Sequence, residues 1–129
     1  GCGTGILSVL ASKLGAIDIV ALDIDNWAFE NAQENATLNN ISDIHFVYGN
    51  ISSVINRKYD IILANINRNT ILNDLTFYSE AMYDYSDIIL SGFLEKDVSV
   101  ILKESAKFGL ELVVSKNKEK WQMLHLRRS

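Results

Sequence analysis

The chain has 129 residues, of which 48% are hydrophobic and 22% are charged, a composition typical of one soluble globular domain. The net charge is −4 and the 12 Lys and Arg residues are scattered, so we expect no direct nucleic-acid partner. Short apolar runs, the lack of a basic leader region and a single cysteine predict no membrane partner, a cytoplasmic location and no metal site.

Short β-branched runs alternate along the chain with segments of helical period, which predicts βαβ units around a mainly parallel sheet. Leu7, Leu10, Ala11 and Leu14 fall on one face of the first predicted helix, and Gly15 follows it at the position of a left-handed cap. A second helix spans residues 25–39 with Asp25 as its N-cap, and further helical stripes fall within residues 71–82 and 98–105. The predicted strands are residues 17–23, 44–48, 59–65, 87–91, 110–115 and 121–126.

The two ends of this series carry additional information. The polar residues 116–120 between the last two strands predict an antiparallel hairpin at one end of the sheet. At the other end, a glycine-rich turn precedes the first helix, and such a turn normally follows a strand. We therefore expect that the chain is truncated upstream of Gly1, that a central first strand is missing, and that this piece alone is unstable or inactive.

The opening turn, Gly1-Cys2-Gly3-Thr4-Gly5, has the spacing G-x-G-x-G. Glycines let the backbone turn tightly and approach a ligand without Cβ clashes, and the helix that follows offers free N–H groups at its start. The alternative interpretation is an ordinary tight turn. Cys2 has no neighbouring His or acid to activate it, so we interpret it as a small residue within the turn.

A carboxylate follows about 20 residues later, where Asp23 ends the next predicted strand and is placed to accept bonds from ribose hydroxyls. Asp25 already serves as the helix cap, which leaves Asp23 available for a ligand. A dinucleotide fingerprint requires glycine at position 6, where Ile6 stands. The pattern therefore favours S-adenosylmethionine over a nicotinamide dinucleotide.

A third candidate is Asn65, which ends a later strand in the segment Ala64-Asn65-Ile66-Asn67. Ligands of open α/β sheets bind beyond the carboxyl ends of the strands. The Asn65 amide both donates and accepts, so it can orient an amine nucleophile or contact the methionine part of the cofactor. The alternative interpretation is a turn-forming asparagine.

Several segments together carry a family resemblance: residues 1–16, Asp23-Ile24-Asp25, Glu34-Asn35-Ala36 with Asn39, residues 59–66, Ser91-Gly92-Phe93-Leu94 and Lys118-Glu119-Lys120-Trp121. In order and spacing they resemble the ribosomal protein L-eleven methyltransferase family, and they cover nearly the whole chain. The glycine turn and Asp23 are common to many class I methyltransferases. The Asn-Ile, Ser-Gly-x-Leu and Glu-x-Trp segments are much more specific.

The resemblance implies a Rossmann-like class I methyltransferase fold over residues 1–129, with an antiparallel terminal hairpin and without the family's N-terminal substrate-recognition domain. It also implies S-adenosylmethionine as cofactor and the methylation of lysine and N-terminal amines on a protein of the large ribosomal subunit. Asn65 corresponds to the catalytic asparagine. The expected cofactor contacts are Gly1, Cys2, Gly3, Thr4, Gly5, Asp23, Ile24, Asn50 and Asn65.

Some positions depart from the family pattern or have a structural interpretation. Asn50 stands where many class I methyltransferases have an acid facing the adenine amine, although its carbonyl can still accept. We expect Arg68 to be a solvated loop charge and Trp121 to belong to the core. Trp27 either packs on its helix or leans over the adenine, and surface positions are expected for Tyr78, Tyr83 and Tyr85.

Three other functions remain open at this point. A class I methyltransferase acting on RNA or a small molecule has the same motifs from Gly1 to Asn65. A non-catalytic domain that kept the fold is disfavoured by the joint presence of the glycines, Asp23 and Asn65. A nicotinamide-dependent oxidoreductase is disfavoured by Ile6.

Overall fold

The computed structural model describes residues 1–54 and 56–129, which separate into two units, Gly1–Ser53 and Val54–Ser129. Each unit alternates helices with strands, as predicted. The first contains α1 (Ile6–Lys13), β1 (Ile19–Asp23), α2 (Asn26–Leu38), β2 (Ile44–Tyr48) and a short 3-10 helix (Ile51–Ser53). Strands β1 and β2 are parallel and in register from Ile19 opposite Ile44 to Asp23 opposite Tyr48, because α2 returns the chain to the starting edge.

Helix α2 begins as its sequence predicts. The Asp25 carboxylate accepts hydrogen bonds from the N–H groups of Trp27 and Ala28, which satisfies two donors that the first turn leaves free. Ala32 and Ala36 are buried on one face. A Cβ added to Gly5 would lie 3.0 Å from the Cβ of Ala32, so the glycine permits the close approach of the turn to α2.

Helix α1 forms where it was predicted, and Gly15 follows it with a φ of +106°. The apolar face of four residues is largely exposed in this unit. Leu10 is 49% and Leu14 78% exposed, whereas Val9 is buried.

The second unit contains β3 (Tyr59–Asn65), α3 (Arg68–Glu80), β4 (Met82–Leu94), α4 (Glu95–Ala106), β5 (Leu110–Lys118) and β6 (Trp121–Arg128). Its four strands form one sheet in the order β3-β4-β6-β5. β3 and β4 are parallel, whereas β6 is antiparallel to both of its neighbours, so the predicted antiparallel hairpin at one end of the sheet is confirmed.

The core of the second unit is formed by aliphatic side chains that are almost inaccessible to solvent: Ile71, Leu75, Ile88, Leu90, Ile101, Leu110, Leu124 and Leu126. Tyr78 joins this core with 4% exposure, so its predicted surface position is wrong, and burial raises the pKa of its phenol. It shares the buried face of α3 with Ile71 and Leu75. Tyr83 and Tyr85 lie on the surface, as predicted.

Strand β4 is longer than the predicted residues 87–91 and continues through Gly92 instead of ending there. Gly92 adopts a φ of +93°, and the pairing with β6 shifts between Ser91 and Phe93. A β-bulge of this kind lets the strand continue while re-aiming its side chains. Among the described residues, no helix is both long and apolar enough to cross a bilayer.

Candidate active site

The glycine turn of the first unit is bonded to the end of β1 by its backbone. The Gly1 amino group and the Cys2 N–H each donate to the Leu22 carbonyl at 2.8 Å, and the Gly5 N–H donates to the Cys2 carbonyl at 2.9 Å. Gly3 and Gly5 have φ angles of +55° and +79°, which side-chain-bearing residues rarely adopt. The turn therefore depends on glycine at both positions.

The surroundings of the turn leave room for a ligand. Apart from Gly3 itself and its two chain neighbours, no residue has an atom within 4 Å of the position that a Cβ on Gly3 would occupy. The Asn35 side chain donates to the Thr4 carbonyl at 2.8 Å and holds the turn against α2. Gly5, the N-cap of α1, has no side chain to cap the first-turn N–H groups, so these donors and the positive end of the helix dipole suit an anionic group.

Asp23, at the end of β1, is bonded to this turn through one carboxylate oxygen and to the start of α2 through the other. Oδ2 accepts from the Gly3 N–H and Oδ1 from the Asp25 N–H, each at 2.9 Å. Burial raises the pKa of Asp23, but the N–H groups of Asp25, Gly3 and Ile24 and the nearby positive amino terminus together lower it by more, so the net pKa is below the usual value. A carboxylate that stays ionised has further lone pairs with which to accept hydroxyl groups.

Four further side chains of this unit were considered in the sequence: Ile24, Trp27, Asn50 and Cys2. Ile24 is 70% and Trp27 73% exposed, so the predicted packing of Trp27 on its helix is not observed in this unit. The Asn50 Oδ1 accepts from the Ser52 N–H at 3.1 Å and from the Ser52 hydroxyl, so the carbonyl expected to face an adenine already closes a local turn. Burial raises the pKa of the Cys2 thiol, consistent with its interpretation as a small residue in the turn.

In the second unit, Asn65 ends β3 beside the bulge of β4. Its Nδ2 donates to the Ser91 hydroxyl at 2.8 Å, so its Oδ1 is the atom suited to accept from an amine. The Ile66 N–H donates to the Ser91 carbonyl at 3.0 Å. A Cβ on Gly92 would lie 2.9 Å from both the N and the O of Ile66, so only glycine lets β4 approach this closely.

An open groove of about 740 Å³ lies beside Asn65, at the edge where β3 ends and the β5–β6 hairpin turns. Trp121 is 50% exposed and lines this groove, so its predicted core position is wrong. The lining residues are Asn65, Ile66, Asn67, Ser91, Gly92, Lys116, Asn117, Lys118, Trp121, Gln122 and Met123.

The Asn-Ile segment is anchored by the start of α3. The Asn67 Oδ1 accepts from the Thr70 N–H at 2.9 Å and caps the helix. Arg68 is the first residue of α3 and pairs with Asp97 at 3.2 Å, so its interpretation as a solvated loop charge is wrong. The other Asp97 oxygen accepts from the Leu94 N–H at 3.1 Å, and the residue is buried.

Comparison with known proteins decides the family, because the model described as "Ribosomal protein L11 methyltransferase (PrmA)" matches residues 1–129. The chain belongs to the ribosomal protein L11 methyltransferase family. A curated member from Bacteroides thetaiotaomicron is 43% identical over 122 residues, which is 94% of this chain and 44% of that protein. One from Porphyromonas gingivalis is 40% identical over 125 residues, or 96% of this chain and 43% of that protein.

Solved structures agree with the fold. The ribosomal protein L11 methylase of Lactobacillus delbrueckii subsp. bulgaricus superposes with a TM-score of 0.95 at 28% identity, covering 100% of this chain and 67% of that one. A methyltransferase from Pyrococcus furiosus superposes with a TM-score of 0.84 at 20% identity, covering 100% of this chain and 72% of that one. The present chain thus spans less than half the length of its curated family relatives.

Two residues that line the groove had no functional role in the sequence interpretation. Ser91 was recognised only as part of the Ser-Gly-x-Leu resemblance, yet its hydroxyl orients the Asn65 amide. Trp121 was predicted to lie in the core because Trp121 and Met123 fall on the same face of one strand. Exposure of a strand end depends on which elements cover it, and no periodicity in the sequence contains that information.

Proposed function

We propose that this chain is the catalytic domain of an S-adenosylmethionine-dependent protein N-methyltransferase. Its substrate amines, on lysine side chains and the N-terminus, belong to a protein of the large ribosomal subunit. The observation that carries the proposal is the hydrogen bond from the glycine turn to an ionised Asp23, in a chain of this family. A ribosomal-protein substrate also implies a cytoplasmic location.

The first unit supplies the groups that fit this cofactor. The open space beside Gly3 accommodates close approach of a ligand, and the uncapped start of α1 suits its carboxylate. The free lone pairs of Asp23 suit ribose hydroxyls, and the exposed Ile24 offers an apolar contact for the adenine. Cys2 and Thr4 contribute backbone groups, and Asn50 is the weakest candidate because Ser52 occupies its carbonyl.

The second unit supplies the groups that suit an amine substrate. When bound, S-adenosylmethionine provides a methyl group already activated by a positive sulfur, so the protein mainly has to position a neutral amine in line. The Asn65 Oδ1 accepts one amine hydrogen while Ser91 fixes the amide orientation. Among the described residues that line the groove, none is an acid or a histidine, so we assign no general base.

The family favours a protein substrate over the RNA and small-molecule alternatives. The curated relatives from Bacteroides thetaiotaomicron and Porphyromonas gingivalis are both named ribosomal protein L11 methyltransferase. They are more than twice as long as the segment they share with this chain. We propose that substrate recognition in such proteins also uses regions outside the segment described for this chain.

The test measures cofactor binding by calorimetry. It uses an "extended chain", in which the segment that precedes the glycine turn in the Bacteroides thetaiotaomicron relative is joined to Gly1. Asp23→Ala should weaken binding of S-adenosylhomocysteine at least about tenfold, because two charge-assisted hydrogen bonds to hydroxyls are lost. Glu34→Gln, which removes an exposed carboxylate from α2, is the matched control and should bind normally. Equal affinity of the wild type and Asp23→Ala would refute the ribose assignment.

A further inference from the structure

The groove of the second unit is organised as one row of side chains that crosses four strands. Asn65 pairs with Ser91, Ser91 with Met123, and Met123 with Lys116. Residues directly opposite each other on neighbouring strands point to the same face of a sheet. Asn65 and Lys116 therefore mark the two ends of one row, about 14 Å apart at about 4.8 Å per strand spacing.

A second row lies two residues nearer the hairpin turn on the same face. Trp121 and Lys118 pair directly, and each is two positions from a member of the first row. Alternation along a strand returns a side chain to the same face every second residue. The face therefore runs from the amide of Asn65, across Met123 and Trp121, to Lys116 and Lys118.

The charge on this face has one sign. Lys116 and Lys118 are exposed and line the groove, and among the described lining residues none is acidic. The Lys120 ammonium lies 5.6 Å from the centre of the Trp121 ring. Glu119 and Lys120 form the hairpin turn with opposite charges, and neither is one of the lining residues. Lys116 and Lys118 thus form a positively charged rim of the groove. This rim disfavours a second ammonium group and attracts a carboxylate.

We propose that Lys116 and Lys118 bind a carboxylate of the substrate, so that the groove selects an amine with an acidic residue nearby in the same peptide segment. This inference rests on the proposed function, since it takes Asn65 as the site of the amine. The segment lies across Met123 and Trp121, which contact its aliphatic parts. At about 3.3 Å per extended residue, and given the reach of a lysine side chain, an acidic residue two to four positions from the amine fits the row.

The test compares two fluorescently labelled peptides of about nine residues in an anisotropy titration with the extended chain. One carries a central lysine and a glutamate three positions away, and the other has glutamine in place of glutamate. The wild type should bind the glutamate peptide about fivefold more tightly, a preference that two exposed ion pairs can supply. That preference should shrink in 0.5 M salt, as is general for exposed charges.

Variants assign the preference to the rim. Lys116→Gln combined with Lys118→Gln should abolish it, whereas Lys103→Gln with Lys107→Gln removes the same charge from the far end of α4 and should retain it. Equal binding of both peptides, binding of neither, or a preference that survives in the rim variant would overturn the proposal. Tighter, rim-dependent binding of a single-stranded RNA oligonucleotide would overturn it in favour of a nucleic-acid partner.

Calorimetry with S-adenosylhomocysteine on the same variants separates this inference from the function on which it rests. Cofactor binding without a peptide preference refutes only the acidic-residue rule. A peptide preference without cofactor binding would refute the methyltransferase assignment while leaving the rim as a binding surface. Circular dichroism of the rim variant should match the wild type, because both lysines are exposed.

Discussion

Apart from Asn50, the candidate residues of the first unit lie between Gly1 and Asp25, and backbone N–H groups make most of their hydrogen bonds. The groove of the second unit instead draws its side chains from four strands, between Asn65 and Met123. A local site of the first kind is visible in a sequence motif. A site of the second kind exists only after strands have paired in a particular register, so its chemistry depends on the stability of the sheet.

The largest expected effect concerns strand edges, which both units leave without a partner among the described residues. β1 pairs with β2 alone and β3 with β4 alone, and on β3 Ile61 is 60% and Leu63 40% exposed. Exposed apolar edges favour aggregation. In thermal denaturation followed by circular dichroism, the extended chain should melt more than about 10 °C above the 129-residue chain.

The matched control joins the same added residues, in scrambled order, to Gly1, and its melting temperature should stay near that of the 129-residue chain. Equal midpoints for the extended and the 129-residue chains would contradict the expectation of a missing central strand. A cooperative melt together with cofactor binding by the 129 residues alone would do so as well.

Alanine substitutions of one glycine in each unit should have different effects on stability and on cofactor binding. Gly92→Ala would place a Cβ 2.9 Å from the Ile66 backbone on a residue whose φ is +93°. We therefore expect the free energy of unfolding, measured in urea, to fall by about 3 kcal/mol. A Cβ at Gly3 would have no atom within 4 Å other than those of its chain neighbours. Gly3→Ala should therefore reduce the free energy of unfolding only by the smaller cost of the positive φ. The same Gly3→Ala change should weaken cofactor binding, because its methyl group enters the space proposed for the ligand. Equal destabilisation by the two variants would remove this contrast.

The third comparison is kinetic and sets Asn65 against Asp23. Asn65→Ala in the extended chain should lower turnover about 100-fold, as expected when a reacting group loses its orientation. Binding of S-adenosylhomocysteine should change much less than in Asp23→Ala. Ser91→Ala, which frees the Asn65 amide without removing it, should have a smaller effect on turnover. A variant of Asn65 with normal turnover but weak cofactor binding would move this residue from the amine to the cofactor.

The sequence alone predicted the strands at residues 44–48 and 59–65 and the cap at Asp25, because hydrophobic runs and capping side chains act over a few neighbouring residues. It also predicted the glycine turn and the family.

Tertiary structure decided what no local pattern contains. Whether Tyr78 or Trp121 is covered depends on the elements that pack beside them, and sequence analysis was wrong for both. The pairing of Arg68 with Asp97, the bulge at Gly92 and the alignment of Lys116 with Asn65 likewise follow from strand register and helix packing. Burial and register are properties of the assembled sheet, because they depend on residues that are distant in the chain.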